Sequence, residues 1–136
     1  MQDFKMKIGA NWCAASSGAW IESENPYTNT AWARIPRGTA EDAQAAIEAA
    51  HAAFIGPWRE ISPADRGRLL HKLAALMAEN AERLAELEVN DTGKLKAEML
   101  GNMRYLPRWY EYYAGLTDKI EGHVTPIDKP GMLHYT

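Results

Sequence analysis

The sequence is short of several features from which function is often read. One cysteine, Cys13, occurs in 136 residues, which excludes an internal disulfide and makes a reducing cytoplasm the default setting. No apolar run approaches the length that crosses a bilayer, and Met1 to Ile8 lacks the apolar core of a signal peptide. Charge of one sign is missing too: 15 Lys and Arg stand against 18 Asp and Glu, a net charge of -3. The two signs are interspersed as on solvated helix faces, so neither nucleic acid nor a membrane is expected as partner.

Chemistry-bearing patterns are equally scarce. A dinucleotide fingerprint needs glycines two apart after a strand, whereas the closest pair among the ten glycines is Gly115 and Gly122. Gly93-Lys94 resembles the end of a phosphate-binding loop, but the earlier glycine is absent and Leu95 stands where a hydroxyl would hold magnesium. His51, His71, His123 and His134 show no HxxxH or Cys–His spacing, which argues against a zinc site. Cys13 lacks a recognisable partner base and sits in a short N-terminal strand that any small apolar residue would suit.

What is present suits a globular chain of one domain's length, with 46% hydrophobic and 24% charged residues. Up to about Ile35 the pattern is short strands and turns: a weak alternation around Ile8, Trp12 and Trp20, a turn at Gly9-Ala10-Asn11, another at Gly18, and a third in "ENPYTNT". The residue before proline avoids the helical region, so Glu24 through Pro26 should expose carbonyls in irregular backbone. The period then changes. Thr39 and Asp42 predict a capping box ahead of a helix whose face is Ala43, Ala46, Ile47, Ala50 and Phe54, closed by Gly56-Pro57. Ser62-Pro63, with Asp65, opens the next, whose inward stripe reads Leu69, Leu70, Leu73, Leu76 and Met77.

Asn80 is placed to cap a continuation carrying Leu84 and Leu87, and Gly93 suits the left-handed position past its end. A long helix over about Leu95 to Ile120, kinked at Pro107, carries Met99, Met103, Leu106, Tyr110 and Tyr113. Its aromatic group, Trp109, Tyr110, Tyr112 and Tyr113, reads as core and amphipathic rim. Val124 to Ile127 and Met132 to Tyr135 read as strands around a Lys129-Pro130-Gly131 turn, leaving a ladder edge open. Asp91 has two readings. It caps the turn after the helix stop, or it joins carbonyls near Asn25-Pro26 around a monovalent cation, since hard cations take carboxylate and carbonyl oxygen together.

In this order the motifs resemble the N-terminal segment of an NAD(P)-dependent aldehyde dehydrogenase. The matching pieces are "ENPYTNTAWARIPRGTAEDAQAAIEAAHAAF", a following Trp58, "SPADRGRLLHKLAALMAENAERLAELEVNDTGK", "YYAGLTDKIEGHVTPID" and "PGMLHYT". The resemblance implies an α/β fold: strands and helices of an incomplete Rossmann-like cofactor domain over residues 1–123, then the start of a β oligomerisation segment over 124–136. It implies a parent enzyme, a homodimer or tetramer, that oxidises an aldehyde with NAD or NADP. There a thiolate attacks the aldehyde, fixed donors stabilise the oxyanion, the nicotinamide takes hydride and a base activates water.

The Trp-Asn-Phe-Pro motif with its oxyanion-stabilising Asn, the cofactor-binding Lys and Gly-rich turn, the base Glu and the nucleophilic Cys all belong to later parts of the family's chain. Cys13 aligns with none of them, so no catalytic or cofactor-binding residue is assigned here, and the segment alone is expected to be inactive and to need the remainder of its polypeptide. For the cation, K+ or Na+, the resemblance implies Asp91 with Ser23 or Glu24. Glu24 departs from the pattern, because an apolar residue commonly stands there. A contrasting reading is a helical interaction module derived from the family, binding a partner through exposed helix faces.

Overall fold

The computed structural model describes residues 1–136 and sets strands first, helices next and a small hairpin last. The early strands are β1 (Gln2–Asp3), β2 (Met6–Ile8), β3 (Asn11–Cys13), β4 (Trp20–Asn25) and β5 (Thr30–Pro36). β2 and β3 make a hairpin turned at Gly9-Ala10, with Gly9 at φ +55°, a region that a Cβ disfavours. β4 and β5 pair antiparallel, and β1 adds parallel to β5, giving the order β1-β5-β4. So short a strand as β1 needs help. Arg34 on β5 forks onto the Asp3 carboxylate at 2.9 and 2.7 Å, and its guanidinium lies 5.0 Å from the Trp20 ring centre.

The helices are α1 (Ala40–Ile55), α2 (Pro57–Glu60), α3 (Pro63–Glu79), α4 (Ala81–Thr92), α5 (Lys96–Tyr105) and α6 (Pro107–Ala114). The capping box before α1 is formed: Asp42 donates its N–H to Thr39 Oγ1, and its carboxylate accepts the Thr39 N–H at 2.9 Å. That carboxylate also takes the Ser16 N–H at 3.1 Å, tying the strand region to α1. These donors, the Thr39 N–H first, hold the Asp42 carboxyl below the usual range. Ser62 caps α3 through its side chain alone, its Oγ accepting the Asp65 N–H at 3.1 Å and donating to the Asp65 carboxylate at 2.7 Å, with Pro63 at the first position. α3 and α6 cross so closely that a Cβ on Gly67 would lie 2.8 Å from the Ala114 carbonyl oxygen.

Several expectations change. Gly56-Pro57 does not simply close α1; the proline starts the one-turn α2, because its missing N–H is no loss at a first helical position. The long final helix is two helices meeting at Leu106, and it ends at Ala114 rather than Ile120. Pro107 removes one ladder bond, yet Leu106 keeps helical dihedrals and bonds back to Asn102 at 2.9 Å. The Asn80 side chain caps backward: its Nδ2 donates to the Leu76 carbonyl at 2.8 Å and gives α4 no cap bond. Glu24 and Asn25 are not irregular; they pair with Ala31 and Thr30 beyond a bulge in the ladder. The closing hairpin shrinks to β6 (Val124–Thr125) and β7 (His134–Tyr135).

The α3 stripe is the largest correction. Its buried residues are Gly67 and Ala74, while Leu69, Leu73 and Leu76 are exposed. The whole chain buries nine residues, none with a side chain larger than Met99. Ile47 and Phe54 on α1 are 63% and 67% exposed, so the large side chains of its apolar face lie bare, while the small Ala46 and Ala49 are half-buried on the side of the β2–β3 hairpin.

Candidate functional site

The two motifs "ENP" and "NDTGK" meet in space, and the reason begins at Gly93. α4 ends there with φ +70° and ψ 11°, the left-handed stop that glycine enters without a Cβ penalty. The missing Cβ has a second use, since one built on Gly93 would lie 2.9 Å from Pro26 Cγ. The turn between β4 and β5 therefore seats directly on the end of α4. Asn25 organises that turn: its Oδ1 accepts the N–H groups of Tyr27 and Thr28 at 2.9 and 3.3 Å, and its Nδ2 donates to Asn90 Oδ1 at 3.2 Å.

Two residues earlier on β4, the Ser23 hydroxyl donates to Asp91 Oδ1 at 2.5 Å. Trp32 Nε1–H in turn donates to Ser23 Oγ at 3.2 Å. Asp91 lies in the last turn of α4, just before the stop at Gly93 as expected, but does not cap the following turn. That bond comes from Thr92, whose Oγ1 accepts the Lys94 N–H at 3.4 Å. Of the three residues expected at a cation site, Ser23 and Asp91 come together. Glu24 is exposed and makes no side-chain bond to Asp91, which leaves only its backbone for such a role.

Asp91 Oδ2 takes no hydrogen bond from the chain, and the last turn of α4 holds no basic residue. A helix C-terminus carries partial negative charge, so the place favours a cation. The side-chain donors that meet are the Asp91 carboxylate and the Ser23 hydroxyl; Glu22 and Glu88 also line the groove, and Glu88 is paired with Lys94 at 3.0 Å. No three His, Cys, Asp or Glu side chains converge anywhere in the chain. Such a set is short of what calcium takes and fits a weakly charged monovalent ion.

These groups stand at the polar end of an open groove of about 590 Å³ between the sheet and α4. Its apolar walls include Ile21 and Ile35 from the sheet, Leu84 and Leu87 from α4, and Met103 from α5. The sequence marks the turn at Asn25 but neither Trp32 nor Asn90, nor the Asn25–Asn90 bond. The turn is the one expected at Asn25-Pro26, whereas the places of Trp32 and Asn90 depend on which strand faces which helix. Cys13 is half-buried, its Sγ 3.8 Å from the Met6 carbonyl oxygen, and stays apart from the groove.

A three-stranded sheet with helices on it and an open groove between them define the class first: an α/β assembly. The model of the aldehyde dehydrogenase family matches residues 12–136. The (Z)-2-((N-methylformamido)methylene)-5-hydroxybutyrolactone dehydrogenase of Acinetobacter baylyi is 41% identical over 133 residues, covering 97% of this chain and 27% of the relative. The mitochondrial aldehyde dehydrogenase of Sus scrofa is 39% identical over 124 residues, covering 89% and 24%. The NAD+ complex structure of aldehyde dehydrogenase from Bacillus cereus superposes with a TM-score of 0.91 at 38% identity, covering 98% of this chain and 28% of that one.

The chain therefore belongs to the aldehyde dehydrogenase family, as its motifs suggested, and corresponds to an N-terminal segment of it. It spans about a quarter of the length of the relatives it matches. No helix is long and apolar enough to cross a membrane.

Proposed function

We propose that this segment belongs to a parent enzyme that oxidises an aldehyde to a carboxylic acid through a cysteine thiohemiacetal, with NAD or NADP accepting the hydride. The observation that carries the reading is the 41% identity over 97% of the chain, set against only 27% of the relative's length. The nucleophile, the oxyanion donor, the base and the phosphate grip belong to polypeptide outside these 136 residues. The segment's own work is to build one side of the cofactor domain with residues 1–123 and to lead, through 124–136, into the β segment of a homodimer or tetramer. Its bare faces on α1 and α3 take the remainder of the same polypeptide as cover. The compartment that suits a single reduced thiol is the cytoplasm.

Ser23 and Asp91 hold K+ or Na+ in this reading. Asp91 Oδ2 supplies the charge, Ser23 Oγ a neutral oxygen, and the backbone at Glu24 a carbonyl. The ion supplies no redox chemistry; it clamps the end of α4 to the β4–β5 turn.

The experiment follows reduced nicotinamide by absorbance, with a panel of aldehydes offered separately to the full-length parent and to the purified 136-residue chain. Turnover by the parent and none by the chain is expected. Turnover by the chain alone would overturn the proposal, because it would place the thiolate and the cofactor grip among residues that contain one cysteine remote from the groove.

A further inference from the structure

The polar end of the groove contains a residue that no motif marked. Across the ladder Ser23 pairs with Ala33 and Glu24 pairs with Ala31, so Trp32 is the extra residue of a bulge in β5. A bulge re-aims the side chain it carries. Here the indole turns into the groove, stands edge-on to Phe4 with ring centres 6.1 Å apart, and reaches Ser23 Oγ with Nε1–H at 3.2 Å.

A serine hydroxyl has one proton and two lone pairs, and an indole N–H can only donate. With Trp32 filling one lone pair, the proton cannot turn toward Trp32 without setting two donors face to face. It goes instead to Asp91 Oδ1, at 2.5 Å. One lone pair of Ser23 and the whole of Asp91 Oδ2 are left over, both electron-rich. We propose that Trp32 is a positioning residue for the monovalent-cation site: its N–H locks the Ser23 proton onto Asp91, so that Ser23 presents a lone pair to the ion and never its proton. The inference rests on the cation reading given above.

Without the indole N–H the hydroxyl rotates among Asp91, water and nearby carbonyls. For part of the time it then turns its proton toward the ion. The cost is modest but specific to cation binding. Trp32→Phe keeps a ring in the groove, and replacement by benzothienylalanine keeps the bicyclic shape while sulfur takes the place of N–H.

The test measures thermal midpoints of the full-length parent in KCl and in tetramethylammonium chloride at matched ionic strength. The unsubstituted parent should gain stability with K+ specifically, and Asp91→Ala should lose that gain. Both Trp32 replacements should retain the gain but need about fivefold more K+ for half of it, the size that one neutral hydrogen bond supports. The indole N–H resonance of Trp32 should move with KCl and stay still with tetramethylammonium.

No K+-specific gain in the parent, or an undiminished gain in Asp91→Ala, would remove the cation reading and this inference with it. A gain that Asp91→Ala abolishes, with unchanged half-saturation in both Trp32 replacements, would remove this inference alone. Should Trp32→Phe fail to fold, the benzothienylalanine protein decides between these outcomes.

Discussion

Purified away from all other polypeptide, the 136-residue chain should not behave as a cooperative domain. Its accessible surface is 10546 Å². A compact monomer of 15.2 kDa exposes roughly 7100 Å² by the usual size scaling, leaving an excess of roughly 3400 Å². One partner in an obligate interface buries roughly 1000–2500 Å², so this chain leaves bare more than such an interface covers. The excess is apolar where it matters: Phe54 is 67% exposed, Leu69 47% and Trp109 51%.

A fully buried Leu, Ile or Phe contributes about 1.5–3 kcal/mol, and no residue of that size is fully buried here. The caps and helical ladders remain, so far-ultraviolet circular dichroism should still report helix. Near-ultraviolet signal should be weak, an apolar dye such as ANS should bind strongly, and the melt should be broad and dependent on protein concentration. Sharp, dispersed amide resonances together with a cooperative melt and no dye binding would refute the surface argument.

Other consequences are best measured in the full-length parent. Gly93→Ala should cost about 1–3 kcal/mol in chemical denaturation, combining the left-handed penalty with the clash against Pro26; an unchanged midpoint would mean that the turn does not seat on α4. Gly67→Ala gains about 1 kcal/mol of helix propensity but meets the Ala114 backbone carbonyl, which cannot rotate away. Overpacking of about 1–3 kcal/mol should therefore win, and a stabilised protein would show that α3 and α6 separate freely.

Asp42 titrates below its ordinary value because the Thr39 N–H, with the Ser16 donors, favours its charged form. Its contribution is present above about pH 3.9, the unfolded value, and is lost as pH falls through the lower folded value. Asp42→Asn should flatten that part of the acid-unfolding profile, and an unaltered acid limb would argue that the capping box carries no linkage.

Much of the chain was legible without its structure because the deciding forces act within a few residues. Thr39 with Asp42 and Ser62 with Pro63 start helices by bonds that span three positions. Gly93 stops one because a Cβ disfavours its dihedrals. The turns at Gly9 and Asn25-Pro26 are equally local, and the order of these local signals was enough to bring out the family. Which face of a helix is covered was not legible in the same way. The spacing of Leu69, Leu73 and Leu76 requires an apolar partner, but spacing alone does not say where that partner lies, and within these 136 residues all three stay exposed.

The candidate site divides along the same line. Asp91 stands out in "NDTGK" and Ser23 beside "ENP", yet 68 residues separate them, and only the seating of Pro26 on Gly93 brings hydroxyl and carboxylate to 2.5 Å. Trp32 belongs wholly to the tertiary structure. Strand alternation assigns a residue to one face or the other, and a bulge resets that assignment through a pairing register set by both strands at once. Local sterics and capping thus wrote the elements and their ends into the sequence itself, while long-range register and the close approach of turn to helix settled which side chains share a site.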